Sequence, residues 1–174
     1  STLEHNFFDR AVKSVESQFE DQPLLQATLL QDLATTMREL GLLDSAVAPQ
    51  ERSLAIRRQE LGDEHYDSLA SLGELGNLQL SRGEFEEAES RFRQILEGYG
   101  KTLGESARET SSAAVNLALV LQRLGRNEEA EELARTAYNG LSKAYGPNDI
   151  DTLHAMATLA SIVNFQGRYE EAEK

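Results

Sequence analysis

The sequence predicts an all-α protein, an α-solenoid of stacked antiparallel helix pairs. Three observations point there. The phrase "GEFEEAE" at 83–89 recurs as "GRNEEAE" at 125–131 and "GRYEEAE" at 167–173, a step of 42 residues each time. Within each step, apolar residues recur every three or four positions, the spacing of one helix face. The chain has no Trp and is only 6 % aromatic, so its core must be built from Leu, Ala, Val and Ile, a composition that favours helices over a β-sandwich.

The period holds at several positions. Gly41, Gly83, Gly125 and Gly167 stand 42 apart, as do Leu33, Leu75, Leu117 and Leu159, and Ala46, Ala88, Ala130 and Ala172. Small residues follow the leucines: Ala34, Gly76, Ala118 and Ala160. A second boundary recurs as Gly62, Gly104 and Gly146. A period of this length signals supersecondary units that bury their apolar faces on one another.

Taken in order, residues 1–22 read as the second helix of a preceding partial repeat. Phe8, Ala11, Val12 and Phe19 lie 42 residues before Gln50, Ser53, Leu54 and Leu61. Repeat 1 spans 24–65, repeat 2 spans 66–107 and repeat 3 spans 108–149. Residues 150–174 form a truncated repeat 4, with Lys174 inside its second helix. Repeat 2 shows the internal logic. Its first helix, about Ser68 to Arg82, carries Leu72, Leu75, Gly76 and Leu78 on one face and stops at Gly83, a residue free to take positive φ. Its second helix opens with Glu86 and Glu87 at the positive end of the helix dipole. Ala88, Phe92, Ile95, Leu96 and Tyr99 form its apolar stripe, and it ends near Leu103-Gly104. Gly98 and Gly140 share one position in successive second helices, where repeat 1 has Ile56. Helical glycine is unfavourable, so the pair marks either a close helix approach or a bend.

Charge and motif content exclude several function classes. The net charge of −13, with no Lys/Arg run, argues against nucleic acid and anionic membranes as partners. Cysteine is absent, so no disulfide or thiolate metal site is available. The longest apolar run, "AAVNLALVL", is too short to span a bilayer. With no targeting segment in view, a cytoplasmic location is expected, and the start at Ser1 reads as a piece of a longer chain. "GKT" at 100–102 lacks the P-loop glycine five residues earlier, where Ile95 stands, and sits at a helix end. His5, His65 and His154 have no metal-ligand spacing, and His65 reads as a solvated or locally bonded turn residue. No nucleophile–base set is suggested. No catalytic residue, metal or cofactor is therefore expected.

The internal pattern resembles the tetratricopeptide repeat signature. Leu30-x2-Leu33-Ala34-x2-Met37, then Gly41 and Ala46, carries the resemblance, as does Leu72-x2-Leu75-Gly76, then Gly83 and Ala88-x3-Phe92. The usual first-helix Trp is replaced by Leu30, Leu72, Ala114 and Met156. The 42-residue length and "RSLAIRRQELGDEHYDSL" (52–69) are similar to the kinesin-light-chain type, in which a long second helix ends in a Leu-Gly-x-x-His-like turn. "KAYGPNDIDTL" (143–153) is similar, with Asp149 in place of the His. Residues 17–41 also resemble stretches that open the repeat arrays of bacterial regulatory proteins.

The resemblance implies a right-handed superhelix and a non-enzymatic scaffold that binds a peptide or protein segment along a concave groove lined by first helices. The matching groove positions are Asp32, Glu74, Asn116 and Thr158; Thr35, Asn77 and Leu119; and Arg38, Leu80, Gln122 and Asn164, with Arg123 beside them. Asn116, just before Leu117-Ala118, matches an Asn whose amide holds a peptide backbone in that type. Two other roles stay open: a regulatory or sensor domain acting in cis within a larger signalling protein, and a self-assembly module. The latter would act end to end through Met156, Leu159, Ala160 and Val163 of the fourth unit.

Overall fold

In the computed structural model the described residues are 2–105 and 107–165. They form eight α-helices: α1 Thr2–Gln18, α2 Pro23–Glu39, α3 Leu43–Leu61, α4 Tyr66–Arg82, α5 Phe85–Leu103, α6 Arg108–Arg123, α7 Asn127–Tyr145 and α8 Ile150–Phe165. No strand occurs among the described residues. Gly167, Ala172 and the expected second helix of the fourth unit lie outside them. The chain divides into two compact units, residues 1–83 with α1–α4 and residues 84–174 with α5–α8.

The punctuation follows from backbone geometry. Gly125 has φ +77°, and Gly41 and Gly83 share that left-handed conformation. At Gly125 the chain makes a Schellman turn: Arg126 N–H reaches back to the Leu121 carbonyl at 2.9 Å. Gly104 adopts φ 92°, ψ 159°, a region essentially closed to residues with a Cβ. Its carbonyl accepts a hydrogen bond from the buried Thr110 hydroxyl at 2.8 Å, which ties the turn to the start of α6.

First helices α4 and α8 are capped by unlike residues in like fashion. His65 Nδ1 accepts from Asp67 N–H at 3.1 Å, and 84 residues later Asp149 Oδ1 accepts from Asp151 N–H at 3.1 Å. A ring nitrogen and a carboxylate oxygen serve the same orphan donor, two residues on. That is why Asp149 can stand where the pattern has His. The expected first-helix start at Ser68 falls two residues late, because the cap at His65 lets α4 begin at Tyr66.

In the first unit, Phe8, Ala34, Met37, Ala46 and Leu78 form one core cluster, with Val12 packed against it. A buried polar seam runs beside it. Gln50 Nε2 donates to the Ser71 carbonyl at 2.9 Å, and the Ser53 hydroxyl donates to the Ala27 carbonyl at 2.7 Å. These bonds cross between helices, so Gln50 and Ser53 are buried with partners. In the second unit, Ala114, Val115, Ala137, Leu141 and Ala155 form the core cluster. The expected stripe of α5 is buried at Ala88, Phe92, Ile95 and Tyr99, while Leu96 is only partly covered.

Charged side chains lace the second unit. Arg93 Nη2 pairs with Glu89 at 2.8 Å and with Glu129 at 2.7 Å, and Arg126 pairs with Glu89 at 2.6 Å and also with Glu129. Arg108 donates through both terminal nitrogens to Asp149, at 3.0 and 3.1 Å, also pairs with Asp151, and lies 4.1 Å over the Tyr145 ring. The first network joins α5 to α7, and the second joins α6 to the turn before α8.

Candidate functional site

Each unit contributes its own part of the first-helix stripe. In the first unit, α2 and α4 carry Asp32, Thr35, Arg38, Glu74, Asn77 and Leu80. Asp32 is exposed and the other five are partly buried. The structure brings three of them together. Thr35, Arg38 and Glu74 line a shallow depression, with Arg38 Nη2 3.8 Å from Glu74 Oε2. Arg38 and Glu74 thus partly neutralise one another. The Asn77 side-chain amide makes no hydrogen bond among the described residues.

In the second unit, α6 carries Asn116, Leu119, Gln122 and Arg123, and α8 carries Thr158 and Asn164. Asn116, Leu119 and Gln122 are partly buried, while Arg123 and Asn164 are exposed. Gln122 Nε2 donates to the Ser161 carbonyl at 3.4 Å, so this amide bridges α6 and α8. Asn116, like Asn77, has no hydrogen bond to its side-chain amide among the described residues. Thr158 departs from the expectation: it is only 4 % exposed. Helix α8 packs on both α6 and α7, which widens its buried stripe to Thr152, Ala155, Thr158, Ile162 and Val163.

Several consequential residues escaped the sequence reading. Ser68, Thr110 and Thr152 form an in-phase row of buried hydroxyls, 42 residues apart, at the starts of the first helices. The period itself was the available signal. Arg57 stands where α5 has Tyr99 and α7 has Leu141. It donates to Gln31 Oε1 and, at 3.4 Å, to the Thr28 hydroxyl. Burial pulls its guanidinium pKa below the ordinary arginine range, opposed by the charges of Asp67 and Asp32. No pattern of residue types marks an arginine that replaces a core aromatic.

The site holds amides, hydroxyls and compensated charges. Among the described residues, no group of three or more His, Cys, Asp or Glu side chains could hold a metal ion. His65 is taken up as a helix cap, and His154 is exposed on α8. No described helix is long and apolar enough to cross a membrane.

A tetratricopeptide repeat family model matches residues 24–101 and 109–174, and the chain belongs to that family. The family is typically one of non-enzymatic protein-interaction scaffolds. Among curated relatives, nephrocystin-3 of Mus musculus is 32 % identical over 88 residues, and the Xenopus laevis protein is 32 % identical over 95. The chain spans only 7 % of the length of these relatives, and the matches cover 51 % and 53 % of the chain. Among solved structures, BtubC (BKLC) from P. vanneervenii superimposes with a TM-score of 0.79 at 18 % identity, covering 97 % of this chain and 67 % of that one. The nearly identical TPR-like repeats of a kinesin-light-chain-type protein from Podosopora anserina give 0.67 at 21 % identity, covering 99 % and 89 %. The fold is that of these repeat proteins.

Proposed function

We propose that the chain is a non-enzymatic scaffold whose first-helix stripe binds an extended peptide or protein segment in the concave groove. The observation that carries this is the state of Asn77 and Asn116. Both amides are partly buried on first helices, and neither makes a side-chain hydrogen bond among the described residues. An amide offers a donor and an acceptor together, the complement of a peptide backbone unit. Partly desolvated groups of this kind gain more from a ligand than fully hydrated ones. Leu80 and Leu119 supply apolar contact beside them. The helices hold these groups in place before binding, which keeps the ordering cost on the receptor side low.

The test is capture of partners from lysate by the wild-type chain and by a triple variant, Asn77→Ala, Asn116→Ala and Arg123→Glu. All three positions lie outside the core clusters, so the variant should melt within about 1 kcal/mol of wild type, yet lose capture. A matched control must avoid Glu89 and Glu131, which hold Arg93, Arg126 and Arg135. Glu132→Lys with Asn139→Lys, both exposed on α7, serves instead. Capture lost in the control and retained in the triple variant would move the binding surface to the second helices.

A second reading, self-assembly, is favoured by the apolar surface of α8, where Ile150 is 78 % exposed, Leu153 43 % and Met156 45 %.

A further inference from the structure

The second unit has a hollow of about 820 Å³ between α5 and α7, over the start of α6. It lies on a different side of α6 from the stripe above: Ala114 lines it, and Asn116 is two residues, or about 200°, further around the helix. Its lining is mainly apolar, with Leu96, Ala114, Leu133 and Ala137 among the contributors.

Three features of this hollow have no role in folding the chain. Gly100 on α5 and Gly140 on α7 both line it, and a Cβ built on either would meet no atom within 4 Å. Glycine is the costliest helix residue after proline, and alanine would fit at both places. Internal packing therefore does not call for glycine here. Close approach of something outside the chain would. The third feature is Ser111. It lines the same hollow and is only 5 % exposed, yet its hydroxyl makes no hydrogen bond among the described residues. Its neighbour Thr110, by contrast, donates to the Gly104 carbonyl.

Four charged side chains line the hollow, Arg93, Glu97, Lys101 and Glu105, and the first three are paired. Arg93 is held by Glu89 and Glu129, and Lys101 Nζ lies 2.6 Å from Glu97. In a chain of net charge −13, this recess is lined by two basic and two acidic side chains around a mainly apolar surface, and of its three hydroxyls, on Thr110, Ser111 and Thr136, that of Ser111 is buried and makes no hydrogen bond among the described residues. The first unit has a hollow at the matching place, between α1 and α3, but its surface is mainly polar, with Lys13, Glu16, Glu20, Arg52 and Glu60 in the lining, and Ile56 stands in the position of Gly140. The shape comes with the repeat; the apolar lining belongs to the second unit.

We propose that this hollow is a binding site for a small, uncharged, flat and mainly apolar molecule that makes one hydrogen bond to Ser111 Oγ and lies against the bare backbone at Gly100 and Gly140. Its volume falls in the range of about 300–1,000 Å³ typical of small-molecule sites. The site is separate from the first-helix stripe, so it stands or falls independently of peptide binding.

The test uses 2-naphthol, an uncharged fused ring with one hydroxyl, and 2-methylnaphthalene, which keeps the shape and lacks the hydroxyl. Amide shifts of the ¹⁵N-labelled chain are followed during titration. The Gly100 and Gly140 amides should move and saturate, while that of Ile56 stays still. The naphthol should bind about three- to tenfold more tightly than the methyl compound, the worth of one net hydrogen bond. Ser111→Ala should erase that preference, and Gly140→Leu should abolish binding while melting no lower than wild type. Shifts that do not saturate, shifts confined to α8, or full binding by Gly140→Leu would overturn the proposal. So would an unchanged preference in Ser111→Ala. If the naphthol fails but unlabelled chain moves the same two glycines saturably, the occupant is a second copy and the small-molecule site is wrong.

Discussion

At the scale of single residues, glycine plays two opposite parts. Gly125 ends a helix with φ +77°, whereas Gly140 lies inside a regular helix with open space where a Cβ would go. Replacing the first by Val forces a β-branched residue into the left-handed region, at about 1–3 kcal/mol. Replacing the second by Ala removes a helix penalty of about 1 kcal/mol. Thermal melts should therefore show Gly125→Val below wild type and Gly140→Ala at or above it. A Gly140→Ala loss as large as that of Gly125→Val would mean that α7 is not regular at that point. Asp149 supplies a second residue-scale test. The paired Arg108 guanidinium, with the N–H groups of Asp151 and Thr152, holds its carboxyl below the usual range, against the opposing effect of burial. A depressed folded-state pKa stabilises above the unfolded value of about 4 and ceases to do so as pH falls through the folded value. Asp149→Asn keeps a capping oxygen and loses the charge. Its melting temperature should trail wild type at pH 7, and the gap should narrow as pH falls from about 4 to pH 3. A gap of equal size at both pH values would show that the ion pair contributes nothing.

At the scale of elements, α8 differs from its counterpart α6. Ser111 and Ala114 on α6 are buried in a unit where α5 and α7 both pack against that helix. The positions 42 residues on, Leu153 and Met156, are exposed. The apolar strip expected at Met156, Leu159, Ala160 and Val163 is thus displaced: Val163 is only 3 % exposed, and the uncovered surface runs through Ile150, Leu153 and Met156. Contiguous exposed apolar side chains of this kind favour association. Light scattering should show species larger than a monomer at high concentration, and Leu153→Glu with Met156→Glu should return the monomer without lowering the melt. A wild-type chain that stays monomeric throughout would remove self-assembly from consideration. The network of Arg93, Arg126, Glu89 and Glu129 also acts at this scale. Hydrogen bonding to Arg93 first, and then to Arg126, holds the Glu129 carboxyl below its ordinary range. Its members are exposed enough that each pair contributes modestly, and what they add lies chiefly in fixing α7 against α5.

At the scale of the whole molecule, the two units share one plan and differ in what fills it. Leu30 and Leu72 occupy the first-helix Trp position as core residues, Ala114 fills it with a smaller side chain, and Met156 is half exposed there. The second-helix stripe carries Arg57, Tyr99 and Leu141 at one and the same position. The hollow between second helices is polar in one unit and apolar in the other. A repeat array tolerates such divergence because each helix pair needs to complement only its neighbours.

The 42-residue plan, the helix pairs, the positive-φ glycines and most of the apolar stripes were legible in the sequence by itself. These depend on local rules: a helix face repeats every three to four residues, and only glycine enters certain backbone regions without cost. The amides of Asn77 and Asn116 were legible for the same reason, as positions on a helix turned away from its apolar stripe. Tertiary structure alone decided the rest. Whether Thr158 faces solvent depends on α8 meeting α6 as well as α7. Gln50 can be buried only because the Ser71 carbonyl, 21 residues away, accepts its proton. The recess beside Ser111 is mainly apolar because Leu96 and Gly100 of α5, Ala114 of α6 and Leu133, Ala137 and Gly140 of α7 face the same space. Burial and vacancy are properties of several elements at once, and no single stretch of chain encodes them.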